Sequence, residues 1–369
     1  MNGRLAAAGL ALALLAGCAG PLHPRELQEL QPVQTLGFDA GEGETIVSAS
    51  DPGSGEGDSP VRLTARGSGA AAAVEELGTV SPRAELFYAH VRFVVLGEGV
   101  ARAGMGEILD WFERSTQTRL GLPLFVVRGG DARDLVTAPG EKDREISALL
   151  ATLERQTERR GGVYCFTMLD TARSLSRSGA ALCCAVRSVG EGDAPPSAGE
   201  EAPVLQTAGY AVLRGGALAG WLDERESRGA TLLLGKAGEL SYVLNGVTVT
   251  LRKADVSLRP GTDEEGRPLL TGSLSARAGV AGMAEPGALT PALLKELGQE
   301  LSRALAEDTE AALTASRELE ADFLELGDLF PREAGFSLPD LLWEIQVRGA
   351  VERSYDIGSG PALRGGETT

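Results

Sequence analysis

The sequence predicts an α+β protein of more than one domain, with a mixed α/β N-terminal region followed by an antiparallel sheet packed on one long helix. Three observations lead there. Between residues 33 and 190 short apolar strands alternate with amphipathic helical stretches, and beyond residue 205 runs of two-residue period are separated by glycine-marked turns. A single apolar stripe at helical spacing then begins after Thr290 and interrupts those runs.

Taken in order, the chain opens with Arg4 ahead of an apolar run from Leu5 to Leu15. At about eleven residues this run is too short for a hydrocarbon core that needs roughly twenty. Small residues at Ala16 and Gly17 stand directly before Cys18. This is the arrangement of a bacterial lipoprotein signal, so residues 1–17 are expected to be cut away and the thiol of Cys18 to carry a lipid. Residues 18–32 read as a tether. A strand is predicted at Val33–Asp39, and the stretch from Gly41 to Pro60, dense in Gly, Ser, Asp and Glu, is expected to be a long polar loop. Val61–Arg66 alternates as a half-buried strand does, and Ala70–Leu77 reads as a short helix. Val91–Leu96 and Leu122–Arg128 are apolar strands, with a helix at Gly106–Ser115 between them that carries Ile108, Leu109, Trp111 and Phe112. Helices are predicted at Asp131–Val136 and Lys142–Arg159.

Pro195, Pro196 and the acidic residues between Glu191 and Pro203 mark a linker at 191–204, which sets the expected domains at 33–190 and 205–357 with a tail at 358–369. Strands are predicted at Ala208–Arg214, Ala217–Leu222, Thr231–Leu234, Leu240–Leu258 and Leu269–Gly279. Thr290 as N-cap and Pro291 at the first helical position start a helix expected to reach about Leu326, roughly 50 Å at 1.5 Å per residue. A last strand follows from Leu341 to Tyr355.

Composition limits function. The formal charge is -17 and becomes -18 when Arg4 leaves with the signal, so phosphate backbones and anionic lipid headgroups are expected to be repelled, nucleic acid is not an expected partner, and the lipid on Cys18 is expected to hold the protein at the membrane without help from a basic patch. Cys165, Cys183 and Cys184 have no chelating spacing, which speaks against a metal centre. Cys165 could bridge to Cys183 or Cys184, leaving one thiol over, although Val163, Phe166, Leu182 and Val186 around them suggest small buried hydrophobes. His23 lies in the tether, leaving His90 as the candidate base, with no activating partner in sight; a hydrogen-bonded structural role is expected for it. Gly97-Glu98-Gly99 between a strand and a helix lacks the third glycine of a dinucleotide fingerprint, since Arg102 stands there, and reads as a tight turn. No G-x-S-x-G is present, and neither catalysis nor a cofactor is expected.

Several segments together resemble one family. Arg25-Glu26-Leu27 with Val33–Asp39, His90–Glu98 followed by Val100–Arg102 and Ile108–Arg114, and the stretch from Leu124 to Leu135 are similar to the Ger(x)C lipoproteins, the C subunits of spore germinant receptors. So are Gly209–Arg214, Leu218–Leu222, Leu232–Lys236, Asp322-Phe323 and Trp343. One departure is Ala19, where the family often has tryptophan. The resemblance implies a non-catalytic subunit, lipid-anchored on the outer surface of the spore inner membrane. Its partners would be a membrane-embedded B subunit and an A subunit with large soluble domains, and Arg25 and Glu26 would be partner contacts. The alternative from residues alone is a solute-binding lipoprotein that captures an amino acid or sugar, which a bilobed fold with a cleft would favour.

Overall fold

The last residues of the expected tether are already a strand, Leu30–Pro32 (β1), which pairs with residues 85–87, and Thr35–Ala40 (β2), Thr45–Asp51 (β3) and Val61–Gly67 (β4) follow. The computed structural model describes residues 30–51, 53, 60–82, 85–138, 145–189, 204–284, 288–331 and 336–353. Strand β3 takes up residues 45–51 of the long polar loop expected at Gly41–Pro60, of which residues 52 and 54–59 lie outside the described residues. It pairs antiparallel with β2 on one side and β4 on the other, and Ile46 to Asp51 are all buried. Polar composition is compatible with burial here because the polar side chains are small, and Gly37 on β2 leaves the room that the Ser48 hydroxyl occupies.

Helix Ala70–Thr79 (α1), strand Glu85–Phe87 (β5), strand Phe93–Leu96 (β6), helices Glu98–Ala103 (α2) and Gly106–Arg114 (α3), strand Leu124–Val127 (β7), and helices Ala132–Val136 (α4) and Ile146–Arg160 (α5) follow. The short elements β1, β5 and α2 are not expected from periodicity, and neither are the helix Met168–Ser178 (α6) and the strand Ala180–Val189 (β8). Helix α6 starts from a capping box, in which the Thr167 hydroxyl accepts from Asp170 N–H and the Asp170 carboxylate accepts from Thr167 N–H. Strands Val204–Arg214 (β9) and Ala217–Leu222 (β10) complete an eight-stranded sheet of order β10-β9-β8-β7-β6-β2-β3-β4. Its centre, from β2 through β6 and β7 to β8, is parallel and buried on both sides.

This sheet crosses the boundary expected at 191–204. Strands β8 and β9 are antiparallel neighbours over nine registered pairs, from Ala180 opposite Arg214 to Val189 opposite Val204. Residues 33–190 therefore do not close a core of their own, and β9 and β10 after the acidic stretch belong to the first sheet.

Helix Glu224–Leu233 (α7) stands where a strand was expected at Thr231–Leu234. Another capping box explains it, with Asp223 accepting from Glu226 N–H and Glu226 accepting from Asp223 N–H. Strands Ser241–Leu244 (β11), Val247–Thr262 (β12) and Pro268–Met283 (β13), helix Pro291–Glu318 (α8) and strand Leu342–Glu352 (β14) build a second, four-stranded sheet of order β11-β12-β13-β14. Its last pair is parallel rather than antiparallel, because the chain returns to the sheet through α8. Thr290 caps α8 as expected, accepting from Leu293 N–H. The helix stops at Glu318 and not near Leu326, since Glu320 takes a left-handed φ of 48° and the Asp322 carboxylate instead receives Leu326 and Gly327 N–H at 2.8 Å each.

Three cores result. Helices α1, α2 and α3 cover one face of the large sheet, while α4, α5, α7 and the C-terminal half of α8 cover the other. The N-terminal half of α8, through Leu297, Leu301 and Leu305, covers the inner face of the small sheet.

Candidate interaction surface

Cys18, Arg25 and Glu26, the residues singled out from sequence, lie outside the described residues. The remaining candidates can be followed from the strands that carry them.

The C-terminal ends of β2, β6 and β7 form a crest, the place where parallel sheets generally bind ligands. Here the chain's own carboxylates fill it. Asp39, at the end of β2, accepts from Ala132 N–H at 2.7 Å and Arg133 N–H at 2.8 Å, so it closes the start of α4. Burial raises the Asp39 pKa, and the two backbone N–H groups oppose that rise. Glu98 accepts from Gly129 N–H at 2.7 Å, which together with Arg102 lowers its pKa against the opposing effect of burial. A Cβ on Gly97 would stand 2.0 Å from Asp39 Oδ1. Gly97-Glu98-Gly99 is thus a packing turn whose first glycine makes room for a carboxylate, and donors that could hold a phosphate are already engaged.

Other reactive side chains are dispersed. His90 is exposed at the end of a 3-10 turn, with its ring edge-on to Phe87 at 5.0 Å, instead of holding the hydrogen-bonded structural position expected for it. Cys165, Cys183 and Cys184 are free and buried, as their apolar neighbours suggest. Burial pushes the Cys183 thiol up to about 12, and Cys184 is raised by its hydrogen bond with Cys165 and by burial, so these thiols are poor nucleophiles. Among the described residues there is no cluster of three metal-ligating side chains, and no helix is long and apolar enough to cross a membrane.

The two sheets are joined at a buried ionic contact that sequence reasoning did not find. Asp308 on α8 receives the Arg228 guanidinium of α7 through Nε at 2.8 Å and a second nitrogen at 3.0 Å, and the Tyr242 hydroxyl of β11 at 2.8 Å. The Asp308 carboxylate holds Arg228 in its charged form, while burial followed by the Asp308 charge raises the Tyr242 pKa. Gly229 permits the approach: a Cβ there would meet the Asp308 carbonyl oxygen at 1.9 Å. Asp223 and Glu226, three residues apart before an apolar run, were the available signal for the helix that carries Arg228.

The outer face of the small sheet remains open. On it Lys253 stands directly opposite Arg277, and Ser275 directly opposite Arg348. These side chains, with Asp255 and Ala350, line a groove of about 350 Å³. Lys253 pairs with Asp255 at 2.7 Å, whereas among the described residues Arg348 reaches only the Gln346 amide oxygen, at 3.4 Å. At the far end of this sheet Trp343 donates its ring N–H to Glu310 at 2.7 Å and lies under Arg317, whose guanidinium is 4.6 Å from the ring centroid. The sequence signals none of this convergence, because the cations come from three separate strands.

Two family descriptions match the chain in order, "Spore germination protein N-terminal domain" over residues 23–187 and "Spore germination B3/ GerAC like, C-terminal" over residues 208–337. The chain belongs to the Ger(x)C family of spore germination proteins. A solved structure, the crystal structure of the GerBC protein, is similar in fold at 15% identity and a TM-score of 0.54, covering 86% of this chain and 96% of that one. No curated protein is similar enough to count as a match. The two matched segments part at 187–208, across the β8–β9 pairing, so the family's division in sequence is not a division between cores.

Proposed function

We propose that this chain is the C subunit of a nutrient germinant receptor, a lipoprotein that takes part in assembly and signalling without catalysing a reaction. The observation that carries this is the ordered match of both family descriptions over most of the sequence. The short apolar run ending at Cys18 supports a lipid anchor on that thiol, and hence a place on the outer surface of the spore inner membrane. Its partners in this reading are the A and B subunits of the receptor, with Arg25 and Glu26 near the anchor as contacts. A filled crest and buried thiols are consistent with a docking role, in which neither nucleotide nor nucleophile is called for.

Intact mass measurement of the membrane fraction tests the anchor: the N-terminal peptide should begin at Cys18 and carry acyl chains, and Cys18→Ala should remain unprocessed or mislocalised. An unmodified N-terminus at another residue would falsify the anchored reading. The subunit assignment is tested by deleting the chain, which should abolish germination through its receptor and leave vegetative growth unchanged.

A further inference from the structure

The groove on the open face of the small sheet gathers positive charge in a chain whose net charge is negative. Lys253, Arg277 and Arg348 face one carboxylate, Asp255, in a chain of formal charge -17. The arrangement is unfavourable for folding by itself, since like charges directly opposite one another in a sheet repel, and Lys253 is directly opposite Arg277. Arg348 is the diagonal neighbour of Arg277, two residues along the parallel pair, so the two side chains are rooted roughly 7–8 Å apart. No carboxylate pairs with either arginine among the described residues, and Ser275 neighbours both, directly opposite Arg348 and two residues before Arg277. An anion bridging the guanidinium groups would relieve this repulsion and take two-pronged hydrogen bonds from each.

We propose that this groove seats the phosphate of an anionic phospholipid headgroup, laying the open face of the small sheet against the membrane surface. The proposal rests on the reading that the chain is tethered there. Placement favours a headgroup over a dissolved anion: the groove lies on an open sheet face, and its neighbours Ser257, Ser273 and Gln346 are exposed, small or flexible polar side chains, suited to a group presented on a surface. Glu344 and Glu352 share this face of β14 but occupy other registers, opposite Thr271 and Gly279. The remaining negative charge of the molecule does not prevent contact, because exposed charges more than about 8–10 Å away are largely screened at physiological salt.

The test uses the chain from Ala19 onward, which lacks the lipid site and keeps every described element, since these begin at Leu30. It should sediment with vesicles of phosphatidylcholine mixed with phosphatidylglycerol, not with phosphatidylcholine alone, and high salt should release it. Arg277→Gln and Arg348→Gln should each weaken this about fivefold. The corresponding Lys variants should retain most of the binding, and Arg303→Gln on α8 should leave it unchanged. Circular dichroism of each variant separates lost binding from lost fold. Equal sedimentation of wild type and the double Gln variant would overturn the proposal. So would arginine-dependent stabilisation by inorganic phosphate without vesicle binding, which would assign the groove to a soluble anion, or arginine-dependent capture of an acidic receptor segment without vesicle binding. Failure of the anchor itself appears separately, as an unmodified Cys18 in the full chain.

Discussion

Two glycines in helices show how one added methyl group can act in opposite directions. Gly78 lies in α1 with open space where a Cβ would go, so Gly78→Ala should raise stability by about 0.5–1 kcal/mol through helix propensity and a less flexible unfolded chain. Gly229 in α7 has the same propensity argument and the opposite surroundings, since its Cβ would meet backbone of α8 at 1.9 Å. Gly229→Ala should therefore separate α7 from α8, strain the Arg228–Asp308 contact and cost about 2–4 kcal/mol, a burden of the size seen when a packed core is overfilled or a buried charge pair is disturbed. Urea denaturation of the two variants beside the parent decides the matter, and equal shifts in the same direction would refute it. Glycine composition is visible in sequence, but the neighbour that gives each glycine its sign is not. Asp39 is a similar case: its place at the end of a strand was legible, while its acceptance of two N–H groups from α4, some ninety residues away, depended on the sheet being assembled.

At the level of elements, most strands and helices were legible because period and caps agree with the observed backbone. Thr290, Pro291 and the leucine spacing located α8, and its end was missed because a left-handed residue at Glu320, which no composition signals, stops it. Strand β3 was missed for a different reason. Its alternation is carried by Ser and Ala, whose burial follows from pairing on both sides rather than from hydrophobicity. The acidic stretch at 191–203 reads in sequence as a break between independent pieces, yet the strands on either side of it pair with each other. Proteolysis within that stretch should accordingly give two bands under denaturing conditions and one species on native size exclusion. Two separately eluting, folded fragments would mean that β8 and β9 do not hold the halves together. The helix α8 strengthens this expectation, since its ends belong to different cores: Leu297, Leu301 and Leu305 to the small sheet, and Ala312, Leu313 and Ala315 to the large one.

For the whole molecule, the balance of buried carboxyls sets a pH dependence. Asp39, Glu145 and Asp322 are each raised above their ordinary values of 3.8, 4.5 and 3.8, in every case chiefly by burial. Within that range the native state holds protons that the unfolded chain has released. Stability from these groups is gained as pH falls through the raised values and lost as pH rises through them. Glu98, which is lowered, contributes with the opposite sign and in a more acidic window, its stabilisation being lost as pH falls through its native value. Relief of the -17 charge acts in the same direction as the raised groups. The urea midpoint should therefore be higher at mildly acidic than at neutral pH, and Asp322→Asn should flatten that slope; a midpoint that climbs steadily toward neutrality would contradict the assignment.

The pairing of β8 with β9 also bears on how the protein is made. A chain that emerges N-terminus first presents β8 as a ten-residue edge, rich in Ala, Cys and Val, before its partner exists. The family's N-terminal segment is thus incomplete at the moment it could first collapse, and its sheet remains open to pairing with another chain until residues 204–214 arrive. In that interval the length of the acidic stretch between the two strands sets the delay.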